Sequence, residues 1–206
     1  MAELILLNKP YRVMSQFTDR EGRHTLADYV SIPDFYPAGR LDYDSEGLLL
    51  LCSDGRLQAH ISSPRHALWK RYLIQVEGRP GDDDIARLRG GLTLRDGPTL
   101  PARARRCATP DLWERLPPIE ARFEKDASWL EVSLREGRNR QLRRMAAAVG
   151  HPVLRLVRVA IGGWELGALA PGEWRRETVH LPEGSGRPGR SGKIRERRGR
   201  QSPRRK

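Results

Sequence analysis

An α+β fold is predicted for this 206-residue chain by three features of its sequence. Short apolar or alternating runs, which suit strands, are mixed with short helical stretches in no regular βαβ order. One run, Leu48-Leu49-Leu50-Leu51, is unbroken, as expected of a strand buried on both faces. No internal repeat occurs, so a stacked-repeat architecture is not expected.

Taken in order, Leu4 to Leu7 reads as a short buried strand that ends at Pro10. His24 to Val30 is expected to be helical, with Pro33 just beyond. The polar turn at residues 39–47 feeds the leucine strand, and Ser53-Asp54-Gly55 turns into a short helix over Leu57 to Ile61. Lys70 to Val76 alternates as a strand does. Asp82 to Leu88 has an acidic start and apolar residues three apart, and Gly90-Gly91 ends it as a helix. Trp129 to Leu134 is a further alternating strand. Asn139 is expected to cap a helix running to Val149, with Gly150 as its C-terminal stop. Val153 to Ile161 is the last strand expected.

The formal net charge is +12, which points to a polyanionic partner. Its distribution qualifies that inference. Residues 184–206 hold ten basic residues and one acid, Glu196, whereas the preceding 183 residues carry a net charge of only +3. The chain therefore divides into a folded domain, residues 1–182, and a basic tail, residues 183–206. With almost no apolar residue beyond Ile194, the tail is expected to be disordered and to grasp RNA or to aid solubility. Two cysteines, Cys52 and Cys107, lie far apart with no C-x-x-C pattern, which argues against zinc and a disulfide framework. Cys52 is expected to be a small buried hydrophobe. No run is long enough for a membrane span, and the N-terminal apolar run is too short for a signal peptide. A reducing cytoplasm is the expected compartment.

Three segments could carry chemistry. In Gly39-Arg40-Leu41-Asp42-Tyr43-Asp44-Ser45-Glu46-Gly47, three carboxylates stand beside an arginine at the mouth of a buried strand. That pattern suits an acidic solvated turn, a carboxylate-pair hydrolase, a metal site, or a rigidly held catalytic acid. In EGRNRQLRRM, residues 136–145, Arg140, Arg143 and Arg144 fall on one helical face and Arg138 enters just before it. No acid is interleaved along that helix, so the cluster reads as a phosphate site rather than a solvated face. The third segment is Lys70-Arg71-Tyr72, where a strand tyrosine, taken alone, reads as packing.

Asn8-Lys9-Pro10, GRLDYDSEGLLLL, Lys70-Arg71-Tyr72 and EGRNRQLRRM occur in an order that resembles the RsuA/RluB/RluE/RluF group of pseudouridine synthases, over residues 4 to about 176. Ser45 stands where that group often has threonine, and Cys52-Ser53 where Thr-Asn is common. The resemblance implies a mixed, largely antiparallel central sheet flanked by helices and loops around a central active-site cleft. It implies an isomerase that turns a uridine of ribosomal RNA into pseudouridine by base flipping, without cofactor or metal, working as a monomer. Asp42 is then the catalytic aspartate, Arg143 its salt-bridge partner, and Tyr72 the residue that stacks on uracil and takes the C5 proton. Arg40 would fill the vacated stack, and Lys9, Arg138, Arg140 and Arg144 would grip RNA. Most of the group carry an S4 domain ahead of the catalytic one. This chain starts at the catalytic domain, from which large-subunit rRNA is the expected substrate. A non-catalytic ribosome-assembly protein is the alternative from another class; it leaves Asp42 without a purpose, since acids repel phosphates.

Overall fold

The computed structural model describes residues 1–63 and 65–180. The expectation of a disordered, RNA-grasping tail at 183–206 lies outside these residues. In chain order the elements are β1 (Ala2–Lys9), β2 (Tyr36–Pro37), β3 (Glu46–Cys52), α1 (Gly55–Ser62), β4 (Lys70–Val76), α2 (Asp82–Gly90), β5 (Thr93–Leu94), β6 (Gly97–Pro98), β7 (Arg103–Cys107), α3 (Ala121–Glu124), β8 (Ser128–Leu134), α4 (Gln141–Ala148), β9 (Val153–Ile161), β10 (Trp164–Glu165) and β11 (Trp174–Val179). The expected α+β class and mixed, largely antiparallel sheet are both observed. Seven strands run in the order β11-β1-β3-β9-β4-β8-β7, with β2 on β3 and β10 on β9. All these pairs are antiparallel except β3 with β9.

Strand β3 divides the core. Leu49 and Leu51 enter one apolar cluster with Ile5, Leu7, Ile74 and Met145. Leu48 and Leu50 enter a second, with Leu4, Leu6 and Ile61. All four leucines are 0% exposed, so the unbroken run is the sequence of a strand covered on both faces. Cys52 closes the strand at 1% exposure, and burial pushes its thiol up to about 12, as suits a packing residue rather than a reactive one.

Gly47 sits where β3 and β9 run parallel, paired with Arg158. Its φ is +98°, and a Cβ there would lie 2.3 Å from the Arg158 carbonyl oxygen. Only glycine permits both that backbone angle and that approach.

Two local expectations are corrected. The helix expected over His24 to Val30 is a single 3-10 turn, Leu26–Asp28. Thr25 and Asp28 cap each other's backbone amides there, and the Tyr29 and Val30 amides both fold back on the Leu26 carbonyl, which closes the turn after one circuit. At α4, Arg140 and not Asn139 occupies the N-cap, with a left-handed φ of 47°. The Gln141 side chain accepts from the Arg138 amide, so the turn before the helix is tied from inside the helix.

The interior also holds charge. Lys9, expected to grip RNA, is 0% exposed. Its ammonium donates to the carbonyls of Pro10 and Val13, both at 2.8 Å, beneath the segment that carries Asp42. It ends β1, one strand in from the edge of the sheet, and its complete burial removes it from any RNA-facing surface. Burial pulls its pKa down to about 7, with Glu46 opposing. Glu46 is itself buried and takes both Nε and Nη2 of Arg155, at 3.0 and 2.9 Å, and the Trp113 indole N–H at 2.8 Å.

Replacing Gly47 with alanine is expected to cost on the order of 3 kcal/mol. Urea denaturation checks this, and a variant within about 0.5 kcal/mol of wild type would contradict the close approach. For Lys9 the folded pKa lies below the unfolded value of 10.5, so the unfolded chain binds more protons between these values. Stability is therefore penalised in full below about pH 7 and recovers as pH rises from 7 toward 10. Wild type should gain roughly 1 kcal/mol per pH unit over part of this window, and Lys9→Met should lack that gain. Equal slopes in the two proteins would refute the assignment.

Candidate active site

The main cleft opens where β3, β4, β9 and the start of α4 converge, with a volume of about 750 Å³. Arg40, Asp42, Tyr72, Arg138, Arg140 and Arg143 all line it, so three sequence segments far apart in the chain meet at one place. Lys9 and Arg144 are not among its lining residues.

Asp42 is held by its backbone neighbours. Ser15 Oγ donates to the Leu41 carbonyl at 2.6 Å and accepts from the Leu41 amide at 3.1 Å. The Arg40 carbonyl accepts from Arg158 Nη1 at 3.2 Å, and the Asp42 carbonyl from the Ser45 amide at 3.0 Å. Leu41 is buried in the first core cluster. The peptide on each side of Asp42 is therefore fixed, which limits where its carboxylate can go. Among the described residues no side chain donates a hydrogen bond to that carboxylate and no ion pair reaches it. The three acids of the motif thus have three separate fates. Asp42 lines the cleft. Asp44 receives Arg140 through two parallel bonds of 2.8 Å. Glu46 is buried at the start of β3, paired with Arg155 of β9.

The expected Asp42–Arg143 salt bridge is not formed. Arg143 donates to the Asp44 carbonyl at 2.6 Å and lies 3.4 Å from Asp44 Oδ2. Its other terminal nitrogen donates to the Val153 carbonyl at 3.2 Å. The carbonyls of the turn and of β9 claim the guanidinium, and Asp44, two residues beyond Asp42, takes the ionic contact. Burial opposes ionisation of Asp44, but the hydrogen bond from Arg140 and the charges of Arg143 and Arg140 outweigh it, so its carboxyl stays below the ordinary range. For Arg143, burial lowers the pKa, with Asp44 opposing. Asp42 still acts on it through space as a Coulombic partner.

The arginine helix is not free of acids, as its own sequence suggested. Arg144 takes both oxygens of Asp96, at 2.6 and 3.0 Å. Arg138 donates to the carbonyls of Asp96, Gly97 and Pro98. The counter-charges come from the β5–β6 hairpin and from the Asp42 loop, forty or more positions away in sequence, where helix-face reasoning has no access to them. Arg138 and Arg140 nevertheless remain at the cleft wall.

Tyr72 is 8% exposed and sits in β4 opposite Val132 of β8 and Arg158 of β9. Its ring thus enters the cleft from the floor of the sheet. Arg158 is a cleft residue that sequence reasoning missed. It is 4% exposed, lines the cleft, and donates from Nε to the Leu48 carbonyl at 2.8 Å as well as to Arg40. The apolar pattern of β9 gives no sign that two of its arginines, Arg155 and Arg158, are buried cations. Among the described residues no group of three or more His, Cys, Asp or Glu side chains is placed to hold a metal ion.

The family described as RNA pseudouridylate synthase matches residues 3–148. Ribosomal large subunit pseudouridine synthase E of Xanthomonas campestris pv. campestris is 55% identical over 176 residues, covering 84% of this chain and 94% of that protein. The protein of the same name from Vibrio parahaemolyticus serotype O3:K6 is 50% identical over 173 residues, or 84% of this chain and 73% of that one. A solved structure described as the crystal structure of pseudouridylate synthase superposes with a TM-score of 0.70 at 30% identity, over 86% of this chain and 71% of that one. With its cleft, its sheet and its sequence in agreement, the chain belongs to the RNA pseudouridylate synthase family.

Proposed function

We propose that this chain converts one uridine of large-subunit ribosomal RNA into pseudouridine, with Asp42 as the catalytic carboxylate. The observation that carries the reading is the separation of the three acids: Asp42 alone of them lines the cleft. A hydrolase built on two carboxylates needs a second free acid at the cleft; Asp44 and Glu46 are each committed to an arginine, and Glu136, the other acid on the wall, accepts from the Leu100 amide and the Gln141 side chain. A purely RNA-binding surface would gain nothing from an acid among its cations.

The reaction exchanges one bond for another within the same nucleotide. The bond from ribose C1′ to uracil N1 breaks, the ring turns, C5 bonds to C1′, and the proton on C5 is lost while N1 gains one. Asp42 either attacks C1′ or removes the 2′ proton. The target base must leave its stack to reach the cleft, at a cost of a few kcal/mol. In this proposal Tyr72 packs against the flipped uracil and takes the C5 proton, Arg40 enters the vacated stack, and Arg138 and Arg140 hold backbone phosphates. Arg143 faces Asp42 from a distance as a Coulombic partner while tying its loop to β9. Large-subunit rRNA is supported by the Xanthomonas and Vibrio relatives, both ribosomal large subunit pseudouridine synthases. A single copy of the chain supplies every residue named here, which favours action as a monomer, and two free cysteines suit a cytoplasmic setting. Among the described residues no helix is long and apolar enough to cross a membrane.

Asp42→Asn should bind an unmodified large-subunit rRNA transcript within about twofold of wild type, yet release tritium from its 5-tritiated uridines at least about a thousandfold more slowly. Turnover near wild type would sink the assignment of Asp42. Ser15→Ala removes both bonds to Leu41 and should lower stability by about 1–2 kcal/mol and kcat by roughly tenfold or more, with KM little changed. A loss confined to KM would show that Ser15 does not position the carboxylate.

A further inference from the structure

Trp69 lies just before β4 and Arg135 just after β8, at the end of the sheet where β8 delivers its chain into the cleft wall. Lys70 pairs with Leu134, and Arg103, the first residue of edge strand β7, pairs with Ser133. That register brings two guanidiniums onto one indole. The Arg103 guanidinium carbon is 4.4 Å from the centre of the Trp69 ring, and that of Arg135 is 5.5 Å from it.

Other arginines close by are neutralised. On β7, Arg105 pairs with Glu131 and Arg106 with Asp82. On β4, Arg71 pairs with Glu165. Among the described residues neither Arg103 nor Arg135 meets a carboxylate, and both are exposed. Arg135 spends one donor, Nε, on the Ala67 carbonyl at 3.3 Å, which fixes its position at the rim. Edge strands carry charge to discourage pairing with other chains, but Arg105 and Arg106 already provide that. Two unpaired guanidiniums stacked on one indole, one of them on the wall of an RNA-modifying cleft, have another use. Stacking keeps a guanidinium planar and oriented while its in-plane N–H groups stay available, the arrangement that suits phosphate oxygens.

We propose that Trp69, Arg103 and Arg135 form a phosphate-binding platform that carries the RNA strand out of the cleft, beyond the nucleotide being isomerised. The inference rests on the reading of the cleft as the uridine site and adds a second stretch of substrate contact to it. Arg135 takes the backbone as it leaves the cleft wall, and Arg103 takes it again across the sheet edge. Trp69 acts through both as a positioning residue.

The test compares wild type with the double variant Arg103→Gln, Arg135→Gln on an unmodified large-subunit rRNA transcript, over a potassium chloride series. Both positions are exposed, so the variant is expected to fold, and circular dichroism checks that it does. Loss of two phosphate contacts should weaken binding by about tenfold at low salt and make the slope of log K against log salt shallower by about 1.4 on single-stranded RNA. Arg122→Gln, an exposed site on α3, serves as the control and should leave the slope unchanged. An unchanged slope in the double variant, or an equal change in Arg122→Gln, overturns the platform. Tritium release by wild type from the same transcript is scored separately. Its absence would count against the proposed function, while the binding slopes would still report on the platform.

Discussion

Strand β3 enters the core at Gly47, where its backbone lies against the backbone of Arg158 with no room for a side chain. This contact is the parallel junction of an otherwise antiparallel sheet, and it sets where the active loop can be. From β9 the Arg158 side chain reaches back to the carbonyls of Leu48 and Arg40, one on each side of the Asp42 turn. The loop is therefore hung from the same residue whose backbone the strand touches. Spacing between β3 and β9, position of the loop and direction of Asp42 are coupled, so an error in the packing becomes an error in the chemistry.

The electrostatics follow a similar division. Five cations (Lys9, Arg140, Arg143, Arg155 and Arg158) and three acids occupy the loop and the layer beneath it. Isolated charges in such a place would be very costly, and each buried one is paired or bonded to carbonyls. Glu46 balances Arg155 inside the sheet, and Asp44 balances Arg140 and Arg143 at the wall. Asp42 is the acid left over: it lines the cleft, and among the described residues no side chain holds its carboxylate. A carboxylate locked in a bidentate ion pair would have to break it before engaging any substrate; Asp42 is positioned through its backbone instead.

Much of this was legible in the sequence, and the parts that were not share a cause. The boundaries of β4 and β9 and the two-faced burial of β3 follow from local apolar pattern, which is a property of a few adjacent residues. The gathering of Asp42, Tyr72 and the arginines was carried by family motifs. Edge strands β7 and β11 were missed because RARRC and WRRETV are polar, and an edge strand needs only one covered face. The partners of Arg140 and Arg144 were missed because Asp44 and Asp96 are neighbours in space alone. Lys9 was misplaced for the opposite reason: a lysine reads as surface, and only the fold reveals carbonyls positioned to receive its ammonium in the core.

The order of strands also bears on how the protein is made. β1 leaves the ribosome before the rest of the sheet, yet one of its neighbours is β3 and the other is β11, the last strand of the sheet. β3 in turn waits for β9, more than a hundred residues downstream. Until those segments emerge, the apolar β1 has an open flank of backbone donors and acceptors, the kind of edge that invites association with other chains. Domain completion is thus a late, long-range event, slow to close by the entropy of its loops. A nascent chain arrested before residue 174 would display two leucine-rich strands with one side unzipped. The burden of keeping such chains apart would fall on the cell's chaperones rather than on the fold itself.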